Sequence, residues 1–211
     1  MLKTRYLVGG GAVAAVAVAF GLVAAYSAEG SAGPDDPDAV SFAVVGDSIT
    51  AWAGKESGSW TSYAGADGVH FSGQGWARNG APLALMEANT PALDEDVLVV
   101  LAGTNDLRSA VPFEERLDIL DSIVEKSRMD RVLVASVPPY DPEPGLATEW
   151  NAALREHADD AGYAFVDPWE GVRTGTARYA ADTTPDGVHP TPDAARQAGE
   201  RMRDAILEAG D

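Results

Sequence analysis

The sequence predicts an α/β fold built around a parallel β-sheet. Strand-like runs alternate with helix-like runs along most of the chain, which is typical of βαβ units whose sheet is covered on both faces. Hydrophobic residues make up 45% and charged residues 23% of the sequence, as in globular domains. The 211 residues correspond to one such domain once a distinct amino-terminal segment is set aside.

That amino-terminal segment predicts contact with a membrane. Lys3 and Arg5 precede an uncharged, mostly apolar run from Tyr6 to Ala28. The run is longer than the about 7 to 15 residues of a signal-peptide core and close to the about 20 of a spanning helix, which favours an anchor. Its glycines dilute the hydrophobicity, and small residues near Ser27 offer a cleavage site. Residues 1–28 are therefore predicted to be a membrane anchor or a signal peptide.

Either alternative places the rest of the chain outside the cytoplasm, tethered to the membrane or secreted. Residues 29–39 are rich in Gly, Pro and acidic residues, which indicates a solvated linker. The catalytic domain is predicted to occupy residues 40–211. Its β-branched and apolar runs predict five strands, at Ser41–Gly46, Val69–Ala77, Val97–Ala102, Arg131–Val137 and Tyr163–Val166.

Helical periodicity follows several of these strands. Apolar residues recur at helical spacing in Phe113–Lys126, Thr148–Ala161 and Asp193–Ala209. Because βαβ crossovers are right-handed, the loops that follow the strands should gather at one edge of the sheet. Candidate functional residues are expected at that edge.

Ser48 is the candidate nucleophile. The first strand ends at Gly46, so Ser48 lies where a strand passes into a helix, at the carboxyl edge where ligands bind in open α/β sheets. A serine there is also a favoured helix cap, so the position alone does not define its role. His189 is the candidate base that would take its proton, and Asp186, three residues earlier, can accept the other imidazole proton.

Four short motifs resemble the SGNH family of GDSL-type esterases and lipases. They are GDSIT at Gly46, NGA at Asn79, GTND at Gly103 and DGVH at Asp186, in the family's order. The resemblance implies a three-layer α/β/α sandwich with a five-stranded parallel sheet, of the flavodoxin-like SGNH type. It also implies a serine hydrolase that cleaves ester or thioester bonds without a metal or other cofactor.

The resemblance also assigns roles within the motifs. It implies a catalytic triad of Ser48, His189 and Asp186, and an oxyanion hole formed by the backbone amides of Ser48 and Gly80 with the side-chain amide of Asn105. An oxyanion hole is needed because acyl transfer passes through a tetrahedral oxyanion. Gly80 also fits a simple Asn-Gly turn. Asp47 is a positioning candidate, and Asp106 either caps the next turn or holds Asn105.

Charge and composition exclude several other classes of function. The formal net charge of −18 argues against a nucleic-acid partner, because phosphate binding needs clustered Lys and Arg. The absence of cysteine excludes a cysteine nucleophile and a thiolate metal site. No spacing typical of a zinc or calcium site occurs, and nothing in the sequence indicates an oligomeric state.

The sequence therefore predicts a serine esterase that acts on a lipid or an acylated carbohydrate through an acyl-enzyme on Ser48. One alternative is a cell-envelope carbohydrate-binding module that keeps the fold without turnover. Another is a metal-dependent phosphoesterase that uses Asp47, Asn105, Asp186 and His189 as ligands. Aromatic residues near the motifs are weaker candidates for a substrate pocket: Trp52, Trp60, Trp76 and the 137–140 segment.

Overall fold

A five-stranded parallel sheet forms the centre of the molecule. The computed structural model describes residues 38–51 and 59–210. Every strand pair is parallel, and the strand order is β2-β1-β3-β4-β5. The strands are β1 Val40–Gly46, β2 Val69–Ala77, β3 Val97–Leu101, β4 Val132–Ala135 and β5 Ala164–Val166. The predicted α/β class and the number of strands are thus confirmed.

Helices cover the sheet in two groups. The helices are α1 Ser48–Ala51, α2 Trp60–Ala64, α3 Leu83–Asn89, α4 Phe113–Ser127, α5 Pro144–Ala161 and α6 Pro192–Gly210. Helix α6 packs against α2 and against the sheet, whereas α4 packs against both α3 and α5. Two short 3₁₀ turns, Thr104–Asp106 and Glu170–Val172, complete the regular structure of the described residues.

The burial of the strands explains which of them the sequence predicts clearly. All five residues of β3 are buried, as expected for a central strand covered on both faces. Strand β2 lies at the edge of the sheet and contains exposed residues in its middle. Its register with β1 shifts between Phe42 and Val44, which interrupts the alternation of side chains. The weak pattern of β2 follows from this edge position and irregular pairing.

The three long helices occur where periodicity predicts them, with small differences at their ends. Helix α5 begins at Pro144, four residues before the predicted start at Thr148. Proline at the first helical position lacks only an N–H that would have no helical partner, so it is a favourable start. The predicted segment 1–28 and all of the predicted linker 29–39 except residues 38 and 39 lie outside the described residues. Within residues 38–51 and 59–210, no helix has both the length and the apolar character needed to cross a bilayer.

The strand order creates a crevice at the carboxyl edge of the sheet. The chain passes from β1 to β2 on one side and then returns past β1 to β3 on the other side. In doubly wound sheets of this order, ligands bind at the point between β1 and β3 where the direction reverses. Ser48 follows β1 and Asn105 follows β3, so both lie at this point.

Candidate active site

Ser48 and His189, 141 residues apart in sequence, meet above the carboxyl edge of the sheet. The Ser48 Oγ lies 2.9 Å from the His189 Nε2. Ser48 is the first residue of α1, and only 9% of its surface is exposed. The Ser48 hydroxyl is therefore largely shielded from solvent and lies within direct proton-transfer distance of an imidazole.

Asp186 orients the imidazole from its other side. The His189 Nδ1 lies 2.8 Å from the Asp186 Oδ2. The second carboxylate oxygen, Oδ1, accepts hydrogen bonds from the backbone N–H groups of Val188 at 2.9 Å and His189 at 2.8 Å. A carboxylate facing Nδ1 favours the tautomer protonated there, in which Nε2 is the acceptor for the Ser48 proton.

The same contacts keep Asp186 ionised. Partial burial alone would raise its pKa, but hydrogen bonds from the His189 amide and ring and from the Val188 amide outweigh that effect. The pKa of Asp186 is therefore lowered from its ordinary value. An ionised carboxylate here stabilises positive charge on the imidazole.

Asn105 lies between the turn that carries Ser48 and the turn that follows β2. Its Nδ2 donates to the Ala81 backbone carbonyl at 3.1 Å and to the Asp47 Oδ2 at 3.3 Å. Gly80, adjacent to Ala81, is exposed and has a φ of 72°. The structure therefore brings Ser48, Gly80 and Asn105 to one end of the crevice. Both amide protons of Asn105 are directed at protein oxygens in this state.

Asp47 is a fully buried acid that connects the Ser48 turn to Asn105. None of its surface is exposed, its Oδ1 accepts from the Ile49 N–H at 2.9 Å, and its Oδ2 accepts from Asn105. Burial raises the pKa of Asp47 to about 6, although the bond from Ile49 and the nearby His189 counteract the increase. Asp47, a positioning candidate in the sequence, is therefore in place to hold Asn105.

Asp106 has a different role from either of the two considered for it in the sequence. Its Oδ2 accepts a hydrogen bond from the Leu83 N–H at 3.0 Å. Leu83 is the first residue of α3, so Asp106 caps a helix that precedes it in the chain by more than twenty residues. Burial raises the pKa of Asp106 above its ordinary value, and the Leu83 bond and Arg116 offset part of that rise.

The aromatic residues considered for a pocket have different surroundings. Trp60 belongs to the core, with 1% of its surface exposed and its Nε1 donating to the Thr50 hydroxyl at 3.2 Å. Trp76 and Tyr140 are half-buried, and Trp52 lies outside the described residues. The pocket assignment is therefore wrong for Trp60.

A separate cavity of about 140 Å³ lies beyond the ends of β4 and β5. Ser136, Phe165 and Arg173 are among its lining residues, and none of the candidate catalytic residues borders it. The Arg173 Nη2 contacts both oxygens of Asp167 at 2.8 Å, so its charge is already paired. Among the described residues, no group of three or more acidic or histidine side chains is arranged to hold a metal ion.

The fold and the site together define a flavodoxin-like α/β protein with a Ser-His-Asp arrangement at its topological switch point. Residues 44–197 match the model of the GDSL-like lipase/acylhydrolase family. The chain belongs to this family and is a hydrolase by that membership.

Solved structures share the same fold. A GDSL-like lipase from Bacteroides thetaiotaomicron is 20% identical, with a TM-score of 0.63 over 80% of this chain and 88% of that chain. A member of the lipolytic G-D-S-L family from Veillonella parvula is 19% identical, with a TM-score of 0.61 over 81% of this chain and 97% of that chain. At these identities the likeness concerns the fold alone. A search of curated proteins found no significant match.

Proposed function

We propose that the protein is a serine esterase that hydrolyses carboxylic ester bonds of a lipid or an acylated carbohydrate. The observation that carries this proposal is the continuous contact from the Ser48 hydroxyl through His189 to the Asp186 carboxylate, at 2.9 Å and 2.8 Å. This order of groups supplies a nucleophile, a base and an orienting acid.

The first half of the reaction forms an acyl-enzyme. His189 Nε2 takes the Ser48 proton as Oγ attacks the ester carbonyl, and Asp186 stabilises the resulting imidazolium. The backbone amides of Ser48 and Gly80 and the Asn105 side chain would donate to the oxyanion. Asn105 can do so when the substrate oxygen replaces the Ala81 carbonyl as the acceptor of one amide proton. The other amide proton of Asn105 stays hydrogen-bonded to Asp47.

The second half of the reaction releases the acid. Protonated His189 has already given its proton to the leaving alcohol as the ester C–O bond broke, which completed the acyl-enzyme. The same nitrogen then removes a proton from water, which attacks the acyl carbon, and it returns that proton to the Ser48 Oγ as the bond between Oγ and the acyl carbon breaks. The oxyanion donors act again on the second tetrahedral intermediate. Each cycle consumes one ester and one water molecule and regenerates the free hydroxyl.

Hydrolysis of p-nitrophenyl acetate by purified protein tests the proposal. The wild type should release p-nitrophenol, whereas Ser48→Ala and His189→Ala should reduce release to background. Ser122→Ala is the matched control, because Ser122 lies on α4 and bonds to Glu87 away from the crevice. Unchanged hydrolysis by Ser48→Ala would refute the serine mechanism.

The same assay separates the two alternatives. A carbohydrate-binding module without turnover would leave the wild type at background, and no contact in the described residues specifically favours it. A metal-dependent phosphoesterase would lose activity in EDTA, whereas the serine mechanism should keep it. A panel of acyl chain lengths with acetyl-xylan and lysophosphatidylcholine would then identify the substrate.

We propose further that the catalytic domain acts outside the cytoplasm. This proposal depends on the basic amino end and the uncharged run up to Ala28. Cells expressing the full chain should carry it in the membrane or exported fraction, and removal of residues 1–28 should retain it in the cytosol. An identical distribution of both forms would contradict the proposal.

A further inference from the structure

The loop that carries His189 depends on side-chain contacts for its position. Residues 183–190 contain no helix or strand. Within the loop, the Thr184 hydroxyl donates to the His189 carbonyl at 2.7 Å and accepts from the Gly187 N–H at 2.8 Å. These bonds define the shape of the loop, but they do not set its distance from Ser48. That distance must depend on contacts with other segments.

Asp141 joins the loop to two other segments of the chain. Its N–H donates to the Gly187 carbonyl at 2.8 Å, and its Oδ1 accepts from the Tyr179 N–H at 2.8 Å. Its own carbonyl accepts from the Arg178 Nη1 at 2.7 Å. Asp141 therefore links the segment after β4, the 178–179 segment and the histidine loop.

Tyr179 contacts the loop directly beside the histidine. Its hydroxyl donates to the Val188 carbonyl at 3.0 Å, and only 6% of its surface is exposed. Burial raises the pKa of the Tyr179 phenol far above its ordinary value, and the negative charges of Asp186 and Asp141 add to this effect. The phenol therefore keeps its proton and remains a donor to Val188.

The approach of Asp141 to the loop leaves no room for a side chain at Gly187. Gly187 has a φ of 76°, which favours glycine, and a Cβ there would lie 2.8 Å from the Asp141 Cβ. Glycine at position 187 therefore lets the backbone of the DGVH motif contact Asp141 directly. This close fit restricts movement of the loop relative to the segment after β4.

We propose that Asp141 and Tyr179 are positioning residues that hold His189 at proton-transfer distance from Ser48. They do not touch the reacting atoms and act only through the loop. This inference rests on the proposed function, in which His189 is the base. Because a displacement of about 1 Å can cost roughly 100-fold in rate, loss of either side-chain contact should lower turnover without weakening substrate binding.

Steady-state kinetics on p-nitrophenyl acetate and the rate of fluorophosphonate labelling test the proposal. Tyr179→Phe removes one hydroxyl and should lower kcat and the labelling rate by roughly 10-fold to 100-fold, with KM unchanged. Asp141→Ala should have a similar effect. Asp141→Asn keeps an acceptor oxygen for the Tyr179 N–H and should restore kcat towards the wild-type value.

Tyr163→Phe is the matched control. It removes a tyrosine hydroxyl that donates to the Asp121 carboxylate at 3.1 Å, away from the crevice, and should leave kcat unchanged. Wild-type kcat and labelling in Tyr179→Phe would overturn the proposal, as would an equal loss in Tyr163→Phe. If Asp141→Ala does not fold, Tyr179→Phe still decides the question, because it removes only the hydroxyl that donates to the Val188 carbonyl.

Ser48→Ala distinguishes failure of this inference from failure of the proposed function. Loss of activity in Ser48→Ala, with wild-type kinetics in the Asp141 and Tyr179 variants, would overturn only the positioning role. Full activity in Ser48→Ala would overturn the proposed function, and the positioning role with it.

Discussion

Replacement of Asp47 by asparagine should change the pH dependence of stability in a defined direction. The side chain is fully buried, and burial raises its pKa from 3.8 to about 6. The folded protein therefore binds this proton more tightly than the unfolded chain does. The stabilisation is complete below about pH 3.8 and is lost as the pH rises through about 6. A difference of about 2 pKa units corresponds to ~3 kcal/mol.

Urea denaturation across this pH range measures the effect. The free energy of unfolding of the wild type minus that of Asp47→Asn should fall by roughly 2 to 3 kcal/mol between about pH 4 and pH 7. Asparagine has no ionisation to lose, so any constant cost of its amide beside Asn105 cancels in the comparison between pH values. A difference that is independent of pH would show that the pKa of Asp47 is not raised by folding.

Asp96→Asn is an informative control because the pKa of Asp96 is shifted in the opposite direction from that of Asp47. Asp96 lies exposed at the surface and accepts hydrogen bonds from the Ser41 N–H at 2.8 Å and from the Ser41 hydroxyl at 2.7 Å. These two bonds lower its pKa below 3.8. The contribution of Asp96 to the free energy of unfolding is therefore present above that pH and lost in more acid solution. The free energy of unfolding of the wild type minus that of Asp96→Asn should be constant above about pH 5.

Three further predictions concern the crevice and its rim. Asn105→Ala should lower kcat roughly 100-fold to 1000-fold, the cost of one oxyanion donor, in the p-nitrophenyl acetate assay. Gly103→Ala should destabilise the protein by at least about 2 kcal/mol in urea, because the φ of 113° disfavours a side chain and its Cβ would collide with the Trp150 indole. Arg108→Gln should cost under about 1 kcal/mol, since its ion pair with Glu143 is exposed.

The sequence predicts the strands of the sheet and the long helices because their hydrophobic patterns extend over enough residues to be distinguished. The buried run of β3 and the periodicity of α4 occur within a residue of their predicted positions. A helix is expected after the first strand, and α1 begins there at Ser48. Helices α2 and α3 are not predicted, because segments of five to seven residues show too little periodicity.

The proximity of Ser48 and His189 can also be expected from the sequence. A parallel sheet gathers the loops after its strands at one edge, and both residues follow strands or lie in a loop at that edge. The contacts of Asp106 with Leu83 and of Asp141 with Tyr179 cannot be read in the same way. They join irregular segments or an unpredicted helix, where no repeating pattern indicates which residues meet.

Identification of the residue that an active-site label modifies is the sharpest test of Ser48 as the nucleophile. We expect a fluorophosphonate to form a covalent adduct on Ser48 in the folded protein. Ser48→Ala should abolish this adduct, and His189→Ala should slow its formation. Mass spectrometry of proteolytic peptides would locate the adduct. An adduct on another residue, or undiminished labelling of Ser48→Ala, would show that Ser48 is not the nucleophile.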